Sequence, residues 1–170
     1  QVIEICNQCS SLGVVEAVNF NSPGQVVIAG EKKAVNSVCE AMKNAGAKRA
    51  LVLPVSVPSH CSLMTRAAQE FSDSVDMVNF IIGNVDVLHN VDASVANDIN
   101  EIKSKLVEQL HKPVLWTSSV QKMQWLGVEK IVELGPGKVL AGLTRRIDRS
   151  LSSSAVIDTA TLHSTIEEIA

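Results

Sequence analysis

The sequence predicts an α/β protein built on a parallel sheet, and three observations carry that prediction. From residue 80 onward, short apolar runs alternate with longer stretches of helical spacing, the order that buries a parallel sheet under helices. Ahead of them, residues 1–55 read helix, strand, strand, helix, strand, which is a β-α-β-β-α-β unit without its first strand. Between the two lies Pro54-Val-Ser-Val-Pro-Ser-His-Cys61, where two prolines fix φ twice and hold the chain extended, so the join is rigid. The expected division is a small subdomain at residues 1–57 and a larger parallel-sheet subdomain at 58–170.

Each element has its own signal. In residues 1–11, Val2, Ile3, Ile5, Cys6 and Cys9 form an apolar helical stripe that Gly13 ends. The stripe begins at residue 1 with no cap before it, so the natural chain is expected to start earlier. Residues 14–20 alternate as a strand, Asn21-Ser-Pro-Gly24 is a dense turn signal, and 25–29 form the returning strand. Over 31–45, Val35, Val38, Met42 and Ala45 recur at helical spacing, and Gly46 supplies the stop. Residues 48–55 read as the next strand, completing the ferredoxin-like order.

Beyond the connector, Met64, Ala67, Ala68, Phe71, Val75 and Val78 mark an amphipathic helix. Residues 80–87 read as a strand with Asn84 and Asp86 near its end, and 91–97 as a loop. Ile99, Ile102, Leu106 and Leu110 give a helix that Pro113 ends. Thr117 and Ser118 are N-cap candidates for a helix bearing Val120, Met123 and Leu126, and Ser118 with Gln121 has the capping-box form. Lys130–Leu134 is a short buried strand running into Gly135-Pro-Gly137. Val139, Leu140, Leu143 and Ile147 make the next helix, with Lys138, Arg145, Arg146 and Arg149 on its polar side. A strand at 155–157 and a helix at 161–170 close the chain.

Composition removes several classes of function. No apolar run approaches the roughly 20 residues of a membrane span, and no secretory signal pattern opens the chain, so no membrane partner is expected. Net charge is −3 with interspersed signs and only 3% of residues are aromatic, which argues against nucleic acid. Cys6, Cys9, Cys39 and Cys61 lack the spacing of a secreted disulfide framework, and a reduced, cytoplasmic setting is expected.

The chemistry narrows to few candidates. His60, at the end of the connector and just before a helix, sits where α/β active sites commonly lie; the alternative is a satisfied structural histidine. Pairing with Ser59 or Cys61 is poor, because neighbouring side chains in an extended segment point to opposite faces. Cys6-Asn-Gln-Cys9 has the CxxC form but lies in a helical stripe without a second ligand pair, so core thiols are expected and no metal. Gly135-Pro-Gly-Lys138 is too short for a phosphate-binding P-loop, and Pro136 lacks an N–H, so a strand-to-helix turn is expected. The Lys138, Arg145, Arg146 and Arg149 cluster is either a solvated helix face or a landing surface for an acidic partner. Asp86 reads as a loop cap before it reads as an acid–base group. No Gly-x-Ser-x-Gly occurs, so a nucleophile elbow is missing from these residues.

Four stretches together resemble the bacterial malonyl-CoA:acyl-carrier-protein transacylase family. They are Val18-Asn-Phe-Asn-Ser-Pro-Gly-Gln-Val-Val-Ile-Ala-Gly30, Ala47-Lys-Arg-Ala50 with the connector, Asn84-Val-Asp-Val87, and Glu133-Leu-Gly-Pro-Gly-Lys-Val-Leu-Ala-Gly-Leu-Thr-Arg-Arg146. The resemblance covers the later part of the family's sequence. It implies an incomplete α/β-hydrolase-like large subdomain carrying a ferredoxin-like small one. It also implies an acyltransferase of fatty-acid biosynthesis that moves malonyl from malonyl-CoA to a serine, then to the phosphopantetheine thiol of acyl carrier protein, without a cofactor.

The resemblance makes His60 the general base and the backbone carbonyl of Gln109 its orienter, with Lys138, Arg145 and Arg146 as candidates for meeting the carrier protein. The family's serine, its malonyl-pairing arginine and its oxyanion-hole glutamine have no counterpart here. By this reading the 170 residues alone are inactive. The passage before Asn84 is shorter than the family's by about half a dozen residues. Ser59 occupies a position that varies with extender unit in related polyketide acyltransferases. Such an acyltransferase with another extender unit, or a non-catalytic remnant that binds carrier protein, are the alternatives.

Overall fold

The computed structural model describes residues 1–169, and its best-packed part is the N-terminal unit. β1 (Val15–Ser22) and β2 (Gln25–Gly30) form an antiparallel hairpin with register shifts between Ala17 and Asn19 and between Phe20 and Ser22. Helices α1 (Val2–Gln8) and α2 (Lys32–Asn44) pack together, and Ile5, Cys6, Val15, Ala34 and Val38 form their shared core. The expected helices and hairpin are all present, because their apolar stripes find partners within 45 residues of chain. Gly30 is required where β2 ends: its φ is +154°, and a Cβ there would run into the Val14 carbonyl oxygen.

Two expected strands do not form among the described residues. Residues 48–55 and 80–87 are irregular and largely exposed, with Leu51 72% and Ile81 87% accessible. The ferredoxin-like order therefore stops at α-β-β-α, followed by an unpaired extended segment. A strand needs a neighbour's backbone as well as an apolar pattern. Asp86 consequently lies in exposed coil, not at a strand end.

After the connector, α3 (Thr65–Asp76) packs on α4 (Ile99–Glu108). The stretch expected as a loop, 91–97, supplies the second strand of a short hairpin, β3 (Leu88–His89) with β4 (Ser94–Val95). α5 (Trp116–Trp125) begins before its expected caps: Leu115 is the N-cap position, and Thr117 and Ser118 lie inside the first turn. The Thr117 hydroxyl donates instead to the Phe20 carbonyl at 3.0 Å, tying α5 to β1. Beside it, Phe20 N–H donates to Val114 O at 2.9 Å and Val114 N–H to Val18 O at 2.8 Å, a single parallel bridge.

β5 (Lys130–Leu134) and β6 (Ser152–Val156) pair parallel in register, joined by α6 (Val139–Ile147). This pair is the parallel sheet of the described residues, shorter than the sequence predicts. β6 starts three residues earlier than expected. α7 (Thr159–Ile169) also begins early, where Asp158 Oδ1 accepts from Thr161 N–H at 2.8 Å. The expected end of that helix at Ala170 lies outside the described residues. No helix among the described residues is long and apolar enough to cross a membrane.

Candidate functional site

Two of the expected site residues meet. His60 Nδ1–H donates to the backbone carbonyl of Gln109 at 2.5 Å, and His60 N–H donates to the next carbonyl, that of Leu110, at 3.0 Å. Both acceptors belong to the end of α4, where Gln109 is the C-cap and carbonyls are left free by the helix's own ladder. A carbonyl oxygen has no proton to give, so Nδ1 carries it and Nε2 keeps the lone pair. This is the tautomer of a general base whose working nitrogen is Nε2.

The backbone around His60 is held in an uncommon shape. Its φ is +67°, in the left-handed region, at a cost of about 1–2 kcal/mol for an L-residue. Three contacts hold it there. Besides the two α4 carbonyls, Glu16 on β1 accepts from Ser62 N–H at 3.0 Å and from Ser62 Oγ–H at 2.5 Å. The adjacent Cys61 is fully buried, its thiol donates to Pro58 O at 3.2 Å, and burial pushes its pKa up. Cys61 is thus an anchor under the turn, while Ser59 on the other side of His60 is exposed.

A second feature had no signal in the sequence. Lys105, 5% exposed, lies one turn before Gln109 and places its ammonium 2.7 Å from Glu101, 3.1 Å from Asp92 and 2.6 Å from Ser94 Oγ. The ammonium and the Asn97 donors hold the Glu101 carboxyl at about 2 against an ordinary 4.5. Asp92 is drawn down by Lys105 and Ser94 against the opposing effect of burial. These bonds tie α4 to the β3–β4 hairpin and so fix the helix that presents Gln109 O. Nothing in the sequence sets Lys105 apart, because its partners arrive from a hairpin whose fold the sequence does not announce.

The same hairpin revises one motif. Asn84-Val-Asp86 is exposed coil, but the sequence repeats Asn-Val-Asp at 90–92. There Val91 is buried, Asp92 meets Lys105, and Leu115 N–H donates to Asn90 O at 2.8 Å. The repetition was visible in the sequence; which copy packs was not.

The remaining candidates separate. Glu133 Oε2 accepts from Ala141 N–H at 2.8 Å, so the start of α6 after Gly135-Pro-Gly137 is already occupied by a carboxylate of the chain itself. That supports the turn reading over phosphate binding. Arg145 donates to Ser153 O at 2.9 Å and Ser153 Oγ at 3.3 Å, and Arg146 to Gln25 Oε1 at 2.9 Å. With Arg149, Leu151 and Ser152 they line an open cavity of about 500 Å³ from which His60 is absent. Lys138 is exposed. Cys6 belongs to the N-terminal core, with burial pushing its thiol pKa up.

Comparison with known proteins is consistent across sequence and fold. No protein-family model matches the chain. The malonyl CoA-acyl carrier protein transacylase of Salmonella typhimurium is 47% identical over 167 residues, which are 98% of this chain and 54% of that protein. That of Bacillus subtilis is 40% identical over 156 residues, 92% of this chain and 49% of that protein. The acyl-carrier-protein S-malonyltransferase structure from Burkholderia pseudomallei superposes with a TM-score of 0.95 at 45% identity, covering 98% of this chain and 54% of that one. A type II PKS acyl-carrier protein in complex with its malonyl-transacylase gives 0.96 at 46% identity, with the same coverage. The chain spans about half the length of the curated relatives it matches.

Proposed function

We infer that this chain, similar along nearly its whole length to malonyl CoA-acyl carrier protein transacylases, is the part of such an enzyme that supplies the general base. The observation that carries the reading is the His60 Nδ1–Gln109 O bond, which fixes Nε2 as the basic nitrogen. In a protein that also provides a serine, His60 takes the hydroxyl proton as the oxygen attacks the thioester of malonyl-CoA. It then gives that proton to the departing CoA thiolate. In the second half it takes the proton of the carrier protein's phosphopantetheine thiol and returns it to the serine oxygen. A carbonyl in place of a carboxylate fixes the tautomer but stabilises the imidazolium less. No cofactor enters these steps.

The fold reading goes with it. The matched relatives support an α/β-hydrolase-like large subdomain, represented here by 58–170, and a ferredoxin-like small one within 1–57. Asn90-Val-Asp92, six residues after the first copy, takes the place of the family's motif and removes the apparent shortening before it. Lys138, Arg145 and Arg146, with Arg149, offer positive charge to an acidic carrier protein, though Arg145 and Arg146 are also used to hold α6.

The test is transfer of labelled malonyl from malonyl-CoA to phosphopantetheinylated acyl carrier protein by a protein containing this chain and the rest of the relatives' length. Transfer that His60→Gln abolishes supports the reading; transfer that survives His60→Gln, or its absence from the unsubstituted protein, overturns it.

A further inference from the structure

One strand, β1, reaches both halves of the His60–Gln109 pair. Val114 N–H donates to Val18 O at 2.8 Å and Phe20 N–H donates to Val114 O at 2.9 Å, which fixes the chain just beyond Gln109. On the same strand, Glu16 reaches the turn just beyond His60. Its Oε2 accepts from Ser62 N–H at 3.0 Å and its Oε1 from Ser62 Oγ–H at 2.5 Å, so one carboxylate takes both donors of one residue. Bonds onto a carboxylate are the short, strong kind, and two of them fix orientation as well as distance. Glu16 is half-buried and belongs to the N-terminal unit, whereas His60 and Ser62 begin the part of the chain that carries α3 and α4.

The turn has no cap of its own. Ser62–Met64 is a 3₁₀ turn that runs into α3 at Thr65, and Cys61, at its N-cap position, makes no side-chain bond to it. The first N–H groups of such a start have no helical acceptor. Glu16 supplies one from 46 residues away, and a negative charge suits a helix start. The consequence falls on His60, whose φ of +67° is a conformation that an L-residue leaves when released. Leu110 O holds its backbone on one side; on the other stand buried Cys61 and the Ser62 bonds to Glu16. The Nδ1 bond to Gln109 O is a single contact about which the ring can tilt, so the place of Nε2 depends on the backbone at 60–62. We propose that Glu16 is a positioning residue: acting through Ser62, it sets where Nε2 of His60 stands when it takes a proton. This rests on the family reading above, and it adds a residue of the small subdomain to the working of the base.

The experiment measures malonyl-transfer kinetics in a protein containing this chain and the rest of the relatives' length, carrying Glu16→Ala, Ser62→Ala, Ser62→Thr or Glu16→Ala with Ser62→Ala. Glu16→Ala is expected to lower kcat about tenfold and to leave KM for malonyl-CoA within about twofold, because a displaced base loses rate and not substrate. Ser62→Ala removes one of the two bonds and lowers kcat about threefold; Ser62→Thr keeps both donors and restores it. The double variant is no slower than Glu16→Ala, since the hydroxyl has nothing left to bond. A kcat indifferent to Glu16→Ala, a loss confined to KM, additive losses in the double variant, or no rescue by threonine each overturns the proposal. In the 170-residue chain alone, the imidazole NMR resonances of His60 are expected to move in Glu16→Ala and in Ser62→Ala; resonances that stay put overturn it as well. Shifted resonances in a chain whose completed form moves no malonyl leave the clamp standing and count against the proposed function instead.

Discussion

The N-terminal unit and the two segments at 50–57 and 80–87 all carry apolar sequence and meet opposite fates. In the first, Val38 and Ala34 are fully buried and a five-residue core forms between two helices and a hairpin. In the second, Leu51 and Ile81 stand in solvent. Hydrophobic pattern states that a residue is to be covered; it does not say that the cover lies in the same stretch of chain. His60 sits between the two regimes, at the end of the first unpaired segment, yet it is held by α4 and β1, which are well packed. The site's geometry is therefore set by the packed elements.

Substitutions can break or sharpen that contrast. In a protein that completes the fold, His60→Gln lowers malonyl transfer about 10⁴-fold or more while the melting temperature stays put, as loss of a base with intact packing requires. If stability falls in parallel, the histidine is structural. Val38→Ala in the chain alone costs about 2–3 kcal/mol in urea unfolding, from lost burial plus a cavity. Ile81→Ala stays within about 0.5 kcal/mol, and a larger cost there erases the distinction between the regions.

Lys105→Met leaves Asp92 and Glu101 without their cation and costs about 2 kcal/mol. It also shifts the NMR resonance of the His60 Nδ1 proton, because α4 loses its tie to the hairpin. The same cluster sets a pH dependence. Glu101 is held at about 2 in the folded chain against 4.5, so its contribution is complete above 4.5 and fades as pH falls toward 2. Lys105 is raised above 10.5, so its contribution persists through neutral pH and fades only in strong base. Urea midpoints at pH 5 and pH 3 check the acid side: the Lys105→Met variant is expected to lose the part of the drop that belongs to Glu101. The smallest effect is Gln109→Ala, which keeps the carbonyl and changes transfer by less than about threefold, since the acceptor is backbone. A large loss would assign the role to the amide side chain.

Much of this was legible from residues alone. Periodicity placed α1, the hairpin, α2, α3, α4, β5 and α6, because each carries a stripe or alternation that a neighbour in the chain satisfies. The connector with its two prolines and the family resemblance singled out His60 and Gln109, and the geometry joins them. The failures share one cause. The caps at Thr117 and Ser118 and the choice between two Asn-Val-Asp copies depend on partners distant in sequence, the Phe20 carbonyl and Lys105, and strands at 48–55 and 80–87 need a neighbouring backbone that the described residues do not bring to them.

The sequence by itself determined which segments are helical, which are apolar, and that a histidine follows a rigid turn, since propensity, proline geometry and spacing are local properties. Only the tertiary structure decided that two carbonyls at the end of α4 and a carboxylate from β1 hold that turn at φ +67°, and that Lys105 is buried between acids. Those are meetings of groups 46 and 49 residues apart for the turn itself, and such contacts are chosen by how the elements pack together, not by any stretch of chain alone.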